Sequence, residues 1–404
     1  MNSQPELVPI LGLSGERRDY IAYPKAIPPY PESPYITGVK FDRFRYHCGE
    51  GDMWPLTWGA DDCIYTAAGD NKGSPLNVWK VSQYAAWRGD QVIHLDKLTN
   101  TNDWTIDLVH PMPVDPAKYC TRPEAPSVKP ASLLDIGGRL YMAVEAQNYG
   151  QNPLFNRQTN HHGWIVFSDD GGKTWNTDAT APDFFEGRVA SCHFLQFGRG
   201  FSGARDEYVY AYFPCGEDGW SYWENGDFLL LGRVPAGRLL ERGAWEFFAA
   251  PGDWRRDALL AQPVFTYYKM TGEDNVCFNP GLNRYILANY SFIDDELRPR
   301  PIHQMRWPEA YRSQLTLFEA ENPWGPWHLF YRDDFWGTYG DYQPSIPTKW
   351  IFEGGRLMFL VSSGSWDDYN FVVQKMAVRL KGEADFPASA QYFDFPIARP
   401  ATFV

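Results

Sequence analysis

The sequence predicts an all-β fold, a five-bladed β-propeller with four-stranded antiparallel blades, and three observations support this prediction. Apolar and β-branched runs are short and are bounded by Gly, Pro, Asn and Asp, which is typical of strands joined by turns. No long stretch shows the periodicity of a helix. One strand pattern also recurs five times at nearly constant spacing, which indicates a repeat architecture.

The recurring element is a turn followed by a short strand with an aromatic or apolar centre. Its copies are CIYTAAGD (63–70), RLYMAVEA (139–146), EYVYAYF (207–213), RYILANYS (284–291) and RLMFLVSSG (356–364). The spacings between equivalent central residues are 76, 69, 75 and 73, counted over Tyr65, Tyr141, Tyr210, Tyr285 and Met358. A period of this length fits one propeller blade per repeat.

Flanking apolar runs complete each repeat. The runs that precede the five copies predict innermost strands near 55–58, 130–134, 191–197, 275–279 and 344–350. After the first four copies, a third strand and a turn lead to a tryptophan that opens a fourth strand, at Trp104, Trp175, Trp245 and Trp327. We therefore predict one propeller domain over 1–404, with an N-terminal arm of about 1–45 and blades of about 46–118, 119–186, 187–260, 261–336 and 337–404.

The segment SDDGGKTW (168–175) supports the propeller prediction. It matches the Asp-box, Ser-x-Asp-x-Gly-x-Thr-Trp, which forms a hairpin in sialidases and related propellers. In such a hairpin we expect Asp170 to bond the turn amides, Gly172 to adopt a positive φ, and Trp175 to pack between blades. The motif is specific for a fold and carries little chemistry, so we interpret Asp170 as structural.

Composition excludes several classes of partner. The formal charge of 37 − 50 = −13 argues against nucleic acid and anionic membranes. The six cysteines have no metal-type spacing and are expected to be reduced thiols, and neither a metal nor another cofactor is predicted. No signal peptide and no apolar run long enough to cross a bilayer are visible. The chain as written is expected to be soluble and cytoplasmic, or secreted if a leader has been removed.

Two aspartates stand at matching ends of the first predicted hairpin. If the turn GADD is centred near Asp61, residues whose numbers sum to about 122 face one another, as Asp52 and Asp70 do. Two close carboxylates repel, so the pKa of one should be raised. This separates an acid from a base, as glycoside cleavage requires, and it makes the pair the catalytic candidates. The structural alternative is that Asp52 caps a turn and Asp70 bonds loop amides.

Polar and aromatic groups at equivalent strand ends predict a cleft for a hydroxyl-rich ligand, because the innermost strands of a propeller converge on its axis. The residues predicted to bind a carbohydrate substrate are Trp54, Asn71, Lys129, Glu145, His193, Asp274, Asn275, Gln343, Lys349 and Trp366. Other tryptophans in long loops, which are expected to be sugar platforms, are Trp220, Trp223 and Trp336. For each residue alone, a place in a turn or in the core is the competing interpretation.

Several motifs resemble those of bacterial propeller proteins in a domain family of unknown function that includes endo-D-arabinanases. The motifs lie within about 46–380 and are GDMWPLTW, DDCIYTAAGD, NPGLNRYIL, NPWGPW and PTKWIFEGGRLMFLVSSG. Endo-D-arabinanases cleave the arabinofuranose chains of mycobacterial arabinogalactan. The resemblance implies a glycoside hydrolase in which two early aspartates, matching Asp52 and Asp70, are the catalytic pair. Long insertions at 147–162 and 294–307 can reshape the cleft.

Two other functions compete with hydrolysis. A polysaccharide lyase would use Tyr46 and His47, or His193, as its base, and Arg45 with Lys129 to neutralise a uronate. A carbohydrate-binding propeller without catalysis would need only the polar cleft. Adjacent strand ends do not fix the carboxyl spacing that separates the inverting and retaining routes of hydrolysis, and we expect inversion because propeller clefts are open.

Overall fold

A computed structural model describes residues 6–11, 17–48, 51–71, 74–83, 104–112, 127–148, 155–302, 312–337, 340–364 and 369–393. Strands dominate these ranges and no α-helix occurs in them, so the all-β prediction is confirmed. Their only helices are short 3-10 segments, at Gly187–Val189, Arg199–Phe201, Ala236–Arg238, Arg242–Ala244, Ala258–Leu260, Thr348–Trp350, Glu353–Gly355 and Ala388–Tyr392. No helix in these ranges has the length and hydropathy that a membrane crossing requires.

The chain begins with a hairpin and then forms its first four-stranded sheet. The hairpin pairs β1 (Glu6–Leu11) with β2 (Arg17–Ala22), and the long strand β3 (Ile36–Cys48) follows. The sheet pairs its strands in chain order, as β4 (Asp52–Trp58), β5 (Ile64–Asn71), β6 (Ser74–Gln83) and β7 (Trp104–Met112).

The middle of the chain forms one 11-stranded sheet. Its strands are β8 (Ser127–Ile136), β9 (Arg139–Asn148), β10 (Thr159–Ser168), β11 (Phe185–Glu186), β12 (His193–Phe194), β13 (Tyr208–Cys215), β14 (Ser221–Tyr222), β15 (Gly226–Pro235), β16 (Glu246–Ala250), β17 (Asp253–Arg255) and β18 (Phe265–Thr271). The short strand β14 pairs with both β10 and β13, and it thereby joins what would otherwise be two smaller sheets.

Two further four-stranded sheets follow. One pairs β19 (Asn275–Asn279), β20 (Arg284–Phe292), β21 (Ser313–Ala320) and β22 (His328–Asp333) in chain order. The other pairs β23 (Ile351–Phe352), β24 (Leu357–Ser362) and β25 (Phe371–Leu380), and β3 supplies its fourth strand. Residues from Ile36 onward therefore add a strand to the last sheet, so the end of the predicted N-terminal arm, at about residue 45, pairs with the fifth predicted repeat. The physical reason is that β25 would otherwise expose an unpaired edge.

The recurring sequence element coincides with a strand in each of its five copies, namely β5, β9, β13, β20 and β24. Strand β7 begins at Trp104, and β16 and β22 begin one residue after Trp245 and Trp327. Four of the five innermost strands lie where they were predicted, as β4, β8, β12 and β19. Two predicted strands are absent from the described residues: residues 344–350 contain Pro344 and Pro347 and end in a 3-10 segment before β23, and Trp175 leads only to a single bridge between Asn176 and Phe167. The count of five blades and the domain boundaries stay predictions.

Hydrogen bonds link, in a series, the segments that were predicted to be innermost in the five repeats. Strand β8 bonds β4 (Asp135 N to Thr57 Oγ1, 3.0 Å), and β12 bonds β8 (Phe194 N to Ser132 Oγ, 2.9 Å). The chain just after β12 bonds β19 (Gln196 N to the Val276 carbonyl, 3.1 Å). Asn275 at the start of β19 donates to the Pro344 carbonyl at 3.1 Å, and Tyr342 reaches Asp52 on β4 at 3.4 Å. The last contact returns to the first strand of the series.

The hairpin at 168–175 has the hydrogen bonds that were expected of it. Asp170 accepts from the amides of Lys173 at 3.0 Å and Thr174 at 2.8 Å. Gly172 has φ 83°, and its carbonyl accepts from Trp175 Nε1 at 3.0 Å. The indole of Trp175 is half-buried against the main core. Asp170 therefore stabilises the turn in which it lies, as the structural interpretation predicted.

Candidate functional site

The β4–β5 hairpin changes register just before it reaches Asp52. Near the turn, Trp58 faces Ile64 and Thr57 faces Tyr65, as predicted. Between Met53 and Leu56 the register shifts by one residue, so Asp52 faces Gly69 instead of Asp70. The extra residue belongs to β4, next to Pro55, which has no amide hydrogen to donate to the ladder. The predicted direct pairing of Asp52 with Asp70 is therefore wrong by one position.

The same bulge turns Trp54 into the core. Met53 and Trp54 have φ of 82° and 53°, and the Trp54 side chain is completely buried. Its ring packs against Trp79 and Phe371, with centroids 5.8 and 5.3 Å away, and its Nε1 donates to the Gly51 carbonyl at 3.0 Å. Trp54 is thus a packing residue, which corrects the prediction that it contacts a saccharide.

Lys129 brings the two aspartates together in spite of the shifted register. Its Nζ lies 3.0 Å from Asp52 Oδ1 and 2.7 Å from Asp70 Oδ1. These two carboxylate oxygens can therefore be no farther apart than 5.7 Å, the sum of the two distances. The side chains of Lys129 and Asp52 are each 7% exposed, whereas that of Asp70 is 44% exposed. Lys129 is a buried counterion between two carboxylates, and not the substrate-facing residue that was predicted.

Gly69 makes room for this arrangement. A Cβ at position 69 would lie 2.7 Å from Lys129 Cδ and 2.9 Å from Asp52 Oδ1, closer than real Cβ contacts come. Any side chain there would push the lysine and the first carboxylate apart. The ion pair between Lys129 and Asp52 therefore requires a glycine at position 69.

Burial makes the carboxyl group of Asp52 a weaker acid than an exposed aspartate. Its removal from water raises the pKa of Asp52 to about 6, the Lys129 ammonium opposes this rise, and Asp70 adds to it. For Lys129, burial acts to lower the pKa, but Asp52 and Asp70 outweigh burial and raise it. The lysine consequently keeps its charge, and the carboxyl group of Asp52 changes protonation state within the neutral to mildly acidic range.

A second group of ionisable side chains lies at neighbouring strand ends, and we call it the central cluster: Glu145, His193 and Glu273. One ligand-type atom of each lies within 4.8 Å of the others, and all three side chains are buried. Glu145 faces Lys129 across β8 and β9, so the central cluster adjoins the aspartate pair. Burial lowers the pKa of His193, which favours a neutral imidazole at pH 7.

These residue types can hold a metal ion, but hydrogen bonds already use Glu273. Ser191 and Asn160 donate to its Oε1 at 3.1 and 2.9 Å, and Gln343 donates to its Oε2 at 2.7 Å. Burial and the adjacent Glu273 raise the pKa of Glu145 well above its ordinary value. The raised pKa favours a protonated, neutral Glu145 beside Glu273. The absence of a bound metal stays a prediction.

The other predicted residues divide into three groups. His193, Glu145 and Gln343 meet in the central cluster, and Asn275 and Asp274 stand beside it at the start of β19, where Asp274 is buried. Lys349 instead bonds Asp62 Oδ1 at 3.0 Å, in the turn at the opposite end of β4 from Asp52. This placement corrects the prediction that Lys349 belongs to the site. Trp366 and the side chain of Asn71 lie outside the described residues.

Sequence reasoning missed Glu273 and Tyr342. Glu273 precedes Asp274 and Asn275, so a run of three polar residues marked this strand end. Alternation alone does not decide which of two adjacent carboxylates points toward the neighbouring strands. Among the loop tryptophans, Trp220 is 43% exposed, while Trp223 and Trp336 are buried and are therefore packing residues.

The predicted lyase bases lie on the far strand of the last sheet. Tyr46 and His47 belong to β3, where they pair with Val373 and Val372 of β25. Strand β3 is the outer strand of its sheet, and its side chains at 46–48 lie outside the described residues. Arg45 forms an ion pair with Asp341. The other base proposed for a lyase, His193, is buried in the central cluster.

The structure is similar to three solved glycoside hydrolases. A glycosyl hydrolase from Bacteroides ovatus has a TM-score of 0.42 and 11% identity, covering 86% of this chain and 94% of that one. The family 117 enzyme Zg3597 from Zobellia galactanivorans has a TM-score of 0.38 and 10% identity, covering 85% of this chain and 90% of that one. A GH43_1 enzyme from Xanthomonas citri has a TM-score of 0.39 and 12% identity, covering 89% of this chain and 90% of that one.

No curated protein matches this sequence. A family model described as "Domain of unknown function (DUF4185)" matches residues 57–375, which is more than half of the chain and includes Asp70, Lys129 and the central cluster. The chain therefore belongs to the DUF4185 family.

Proposed function

We propose that the protein is a glycoside hydrolase that acts through Asp52 and Asp70. The observation that carries the proposal is one buried carboxyl group and one exposed carboxylate held on either side of a single lysine. Two carboxyl groups in unlike environments are the arrangement by which glycosidases separate an acid from its partner. Membership of the DUF4185 family does not itself indicate an activity, because the family is described as a domain of unknown function.

The two environments suggest the two roles. Asp52 has a pKa of about 6, so it can hold a proton near neutral pH and give it to the leaving oxygen. Asp70 is accessible and can approach the anomeric carbon or activate a water. The Oδ1 atoms that both contact Lys129 are at most 5.7 Å apart, which is near the roughly 5–5.5 Å between the carboxyl groups of retaining enzymes and below the roughly 6.5–9.5 Å of inverting ones. We therefore propose retention, in place of the inversion expected from the sequence, with Asp70 as the nucleophile.

We also propose that the sheets are blades of one five-bladed propeller, with the carboxylate site at the ends of its innermost strands. The series of contacts from β4 through β8, β12 and β19 and back to β4 supports this arrangement. The same innermost strands carry Asp52 and Lys129. An experimental structure with six or more blades would contradict it.

The substrate we propose is a furanosidic polysaccharide, and D-arabinan is the first to test because several sequence motifs resemble those of the family that includes endo-D-arabinanases. Purified protein should release new reducing ends from D-arabinan, and proton NMR of the earliest products should show a retained anomeric configuration. An inverted product would contradict the role given to Asp70.

A panel of other glycans separates the competing functions. Products that absorb in the near ultraviolet would indicate a lyase. Saccharide binding without new reducing ends, on every member of the panel, would indicate a binding protein. Either result would overturn the proposed hydrolysis.

A further inference from the structure

An open pocket of about 730 Å³ has in its wall His161, the residue after Asn160, which donates to Glu273 of the central cluster. His161 of β10, the turn at Gly216–Trp220, the chain at 183–189 and the segment 256–259 line it. Its volume is within the range of roughly 300–1,000 Å³ that small-molecule sites occupy. None of the residues given a catalytic role above lines this pocket.

A β-bulge directs His161 into the pocket. Asn160 faces Gln147 and His162 faces Ala146, so His161 is the extra residue of the β9–β10 pair. Its ring lies 5.7 Å from that of Trp220. Asn160, one residue earlier, donates to Glu273 in the central cluster. Bulges of this kind redirect single side chains next to functional sites. Here Asn160 bonds the central cluster, and His161, the next residue, lines the pocket.

The Trp220 side chain is exposed although its turn is well held. The Gly216 amide donates to the Trp220 carbonyl at 2.8 Å, and Asp218 accepts from the Trp220 amide at 3.3 Å. Asp218 also accepts from the Tyr222 hydroxyl at 2.6 Å and from Arg157 at 3.4 Å. A large aromatic ring kept 43% exposed on a fixed turn is suited to stacking on a sugar ring, because little conformational freedom is lost on binding.

The charges of the pocket favour a neutral ligand. Three arginines line it (Arg188, Arg242 and Arg256), together with four carboxylate side chains. Because both signs are present in nearly equal number, neither a strongly anionic nor a strongly cationic ligand is favoured. Hydrogen-bond donors and acceptors together with an aromatic ring match the hydroxyl groups and apolar faces of a sugar.

We propose that this pocket is a distal subsite that binds further sugar residues of a neutral oligosaccharide chain whose scissile bond lies at Asp52 and Asp70. The proposal rests on the proposed function for the identity of the chain. Adjacent walls support it: Lys129 faces Glu145 across β8 and β9, and Asn160, which donates to Glu273, directly precedes His161 of the pocket wall. A chain too short to extend from Asp70 to the pocket wall at His161 would not reach Trp220.

The test measures how strongly a short and a long oligosaccharide bind, in protein with Trp220 and in protein without it. A short and a long D-arabinan oligosaccharide are titrated by calorimetry into Asp70→Asn protein, with and without Trp220→Ala. Loss of an aromatic contact worth about 0.5–1.5 kcal/mol should weaken binding of the long chain roughly two- to tenfold. Binding of the short chain should not change, and Trp220→Phe should restore part of the loss.

Phe335→Ala is the matched control, since Phe335 is also an exposed aromatic ring, at 55% exposure, but does not line the pocket. His161→Ala gives a second, independent change in the pocket wall and should also weaken only the long chain. Melting temperatures show that each variant is folded.

The outcomes separate the subsite from the proposed hydrolysis. Length-dependent binding that Trp220→Ala removes, in a protein that cleaves nothing, would uphold the subsite and overturn the hydrolysis. Cleavage by the unmodified protein, with long-chain binding that neither Trp220→Ala nor His161→Ala weakens, would overturn the subsite alone. Failure of the long chain to bind at all would overturn the subsite as well.

Discussion

The two ends of the β4–β5 hairpin carry nearly the same residues and behave differently. At the turn end, Asp61 pairs with Lys80 and Asp62 pairs with Lys349. At the other end, Asp52 and Asp70 share Lys129. The side chains of Lys80 and Asp61 are 33% and 43% exposed, whereas those of Lys129 and Asp52 are each 7% exposed. Burial is therefore the main difference between the two ends.

The acidities follow this difference. For Asp61, burial acts to raise the pKa, but hydrogen bonds from Lys80 and Tyr65 outweigh it and the pKa is lowered. For Asp52, burial dominates over Lys129 and the pKa rises to about 6. A lysine beside an aspartate thus makes an ordinary surface ion pair at one end and a proton-holding carboxyl group at the other. Paired charges in a sequence do not by themselves identify chemistry.

The largest effect should come from removing the ionisable groups at the buried end. Asp52→Asn and Asp70→Asn should each lower kcat on the identified substrate by about 10²–10⁴-fold or more, because general acid–base catalysis supplies about that factor. The double variant should lose little more, since the two act as a unit. Asp61→Asn, at the exposed end of the same hairpin, should retain its turnover. Near-normal turnover by either of the first two variants would show that the pair is structural.

Lys129→Met should be the most destabilising single change, because it leaves Asp52 buried without its counterion. Breaking a buried pair costs about 3–5 kcal/mol, whereas Lys80→Met should cost about 1 kcal/mol or less. Denaturant unfolding measures both. Equal losses of unfolding free energy in the two variants would contradict the contrast in burial.

The same lysine variant predicts a direction of pH dependence. The folded pKa of Asp52 is raised, so its contribution to stability is present at low pH and is lost as the pH rises through about 6. Without Lys129 the pKa rises further, so Lys129→Met should lose more stability at about pH 8 than at about pH 5. If Asp52 is the acid, the basic limb of kcat/KM should also move to higher pH. A limb that does not move would remove Asp52 from that role.

The smallest effect should distinguish two glycines of the hairpin. A Cβ at Gly69 would press on Lys129 and Asp52, and a Cβ at Gly59 would press on Tyr65 at 2.7 Å and Asp61 at 2.8 Å. Each change to alanine should cost about 1–3 kcal/mol of unfolding free energy through overpacking. Only Gly69→Ala should also alter the pH profile of activity. An altered profile in Gly59→Ala would mean that the two ends are coupled.

Local sequence determined much of this protein. The alternation of apolar residues and the turn residues specify strands, and the five copies of the repeated element are β5, β9, β13, β20 and β24. The hairpin turn brings Asp52 and Asp70 to the same end of one strand pair, and Asp170 bonds its own turn. Each of these features depends on residues close in the chain, where backbone geometry leaves few alternatives.

Only the tertiary structure decided what surrounds the two aspartates. Lys129 lies 77 positions from Asp52 in the sequence, and the bulge beside Pro55 turned Trp54 into the core and moved Asp52 opposite Gly69. The choice of Glu273 over Asp274 for the central cluster, and of Asp62 as the partner of Lys349, also depends on which strands become neighbours. Burial and long-range ion pairs arise when separate segments pack together, and the acidity of Asp52 is a property of that packing and not of its local sequence.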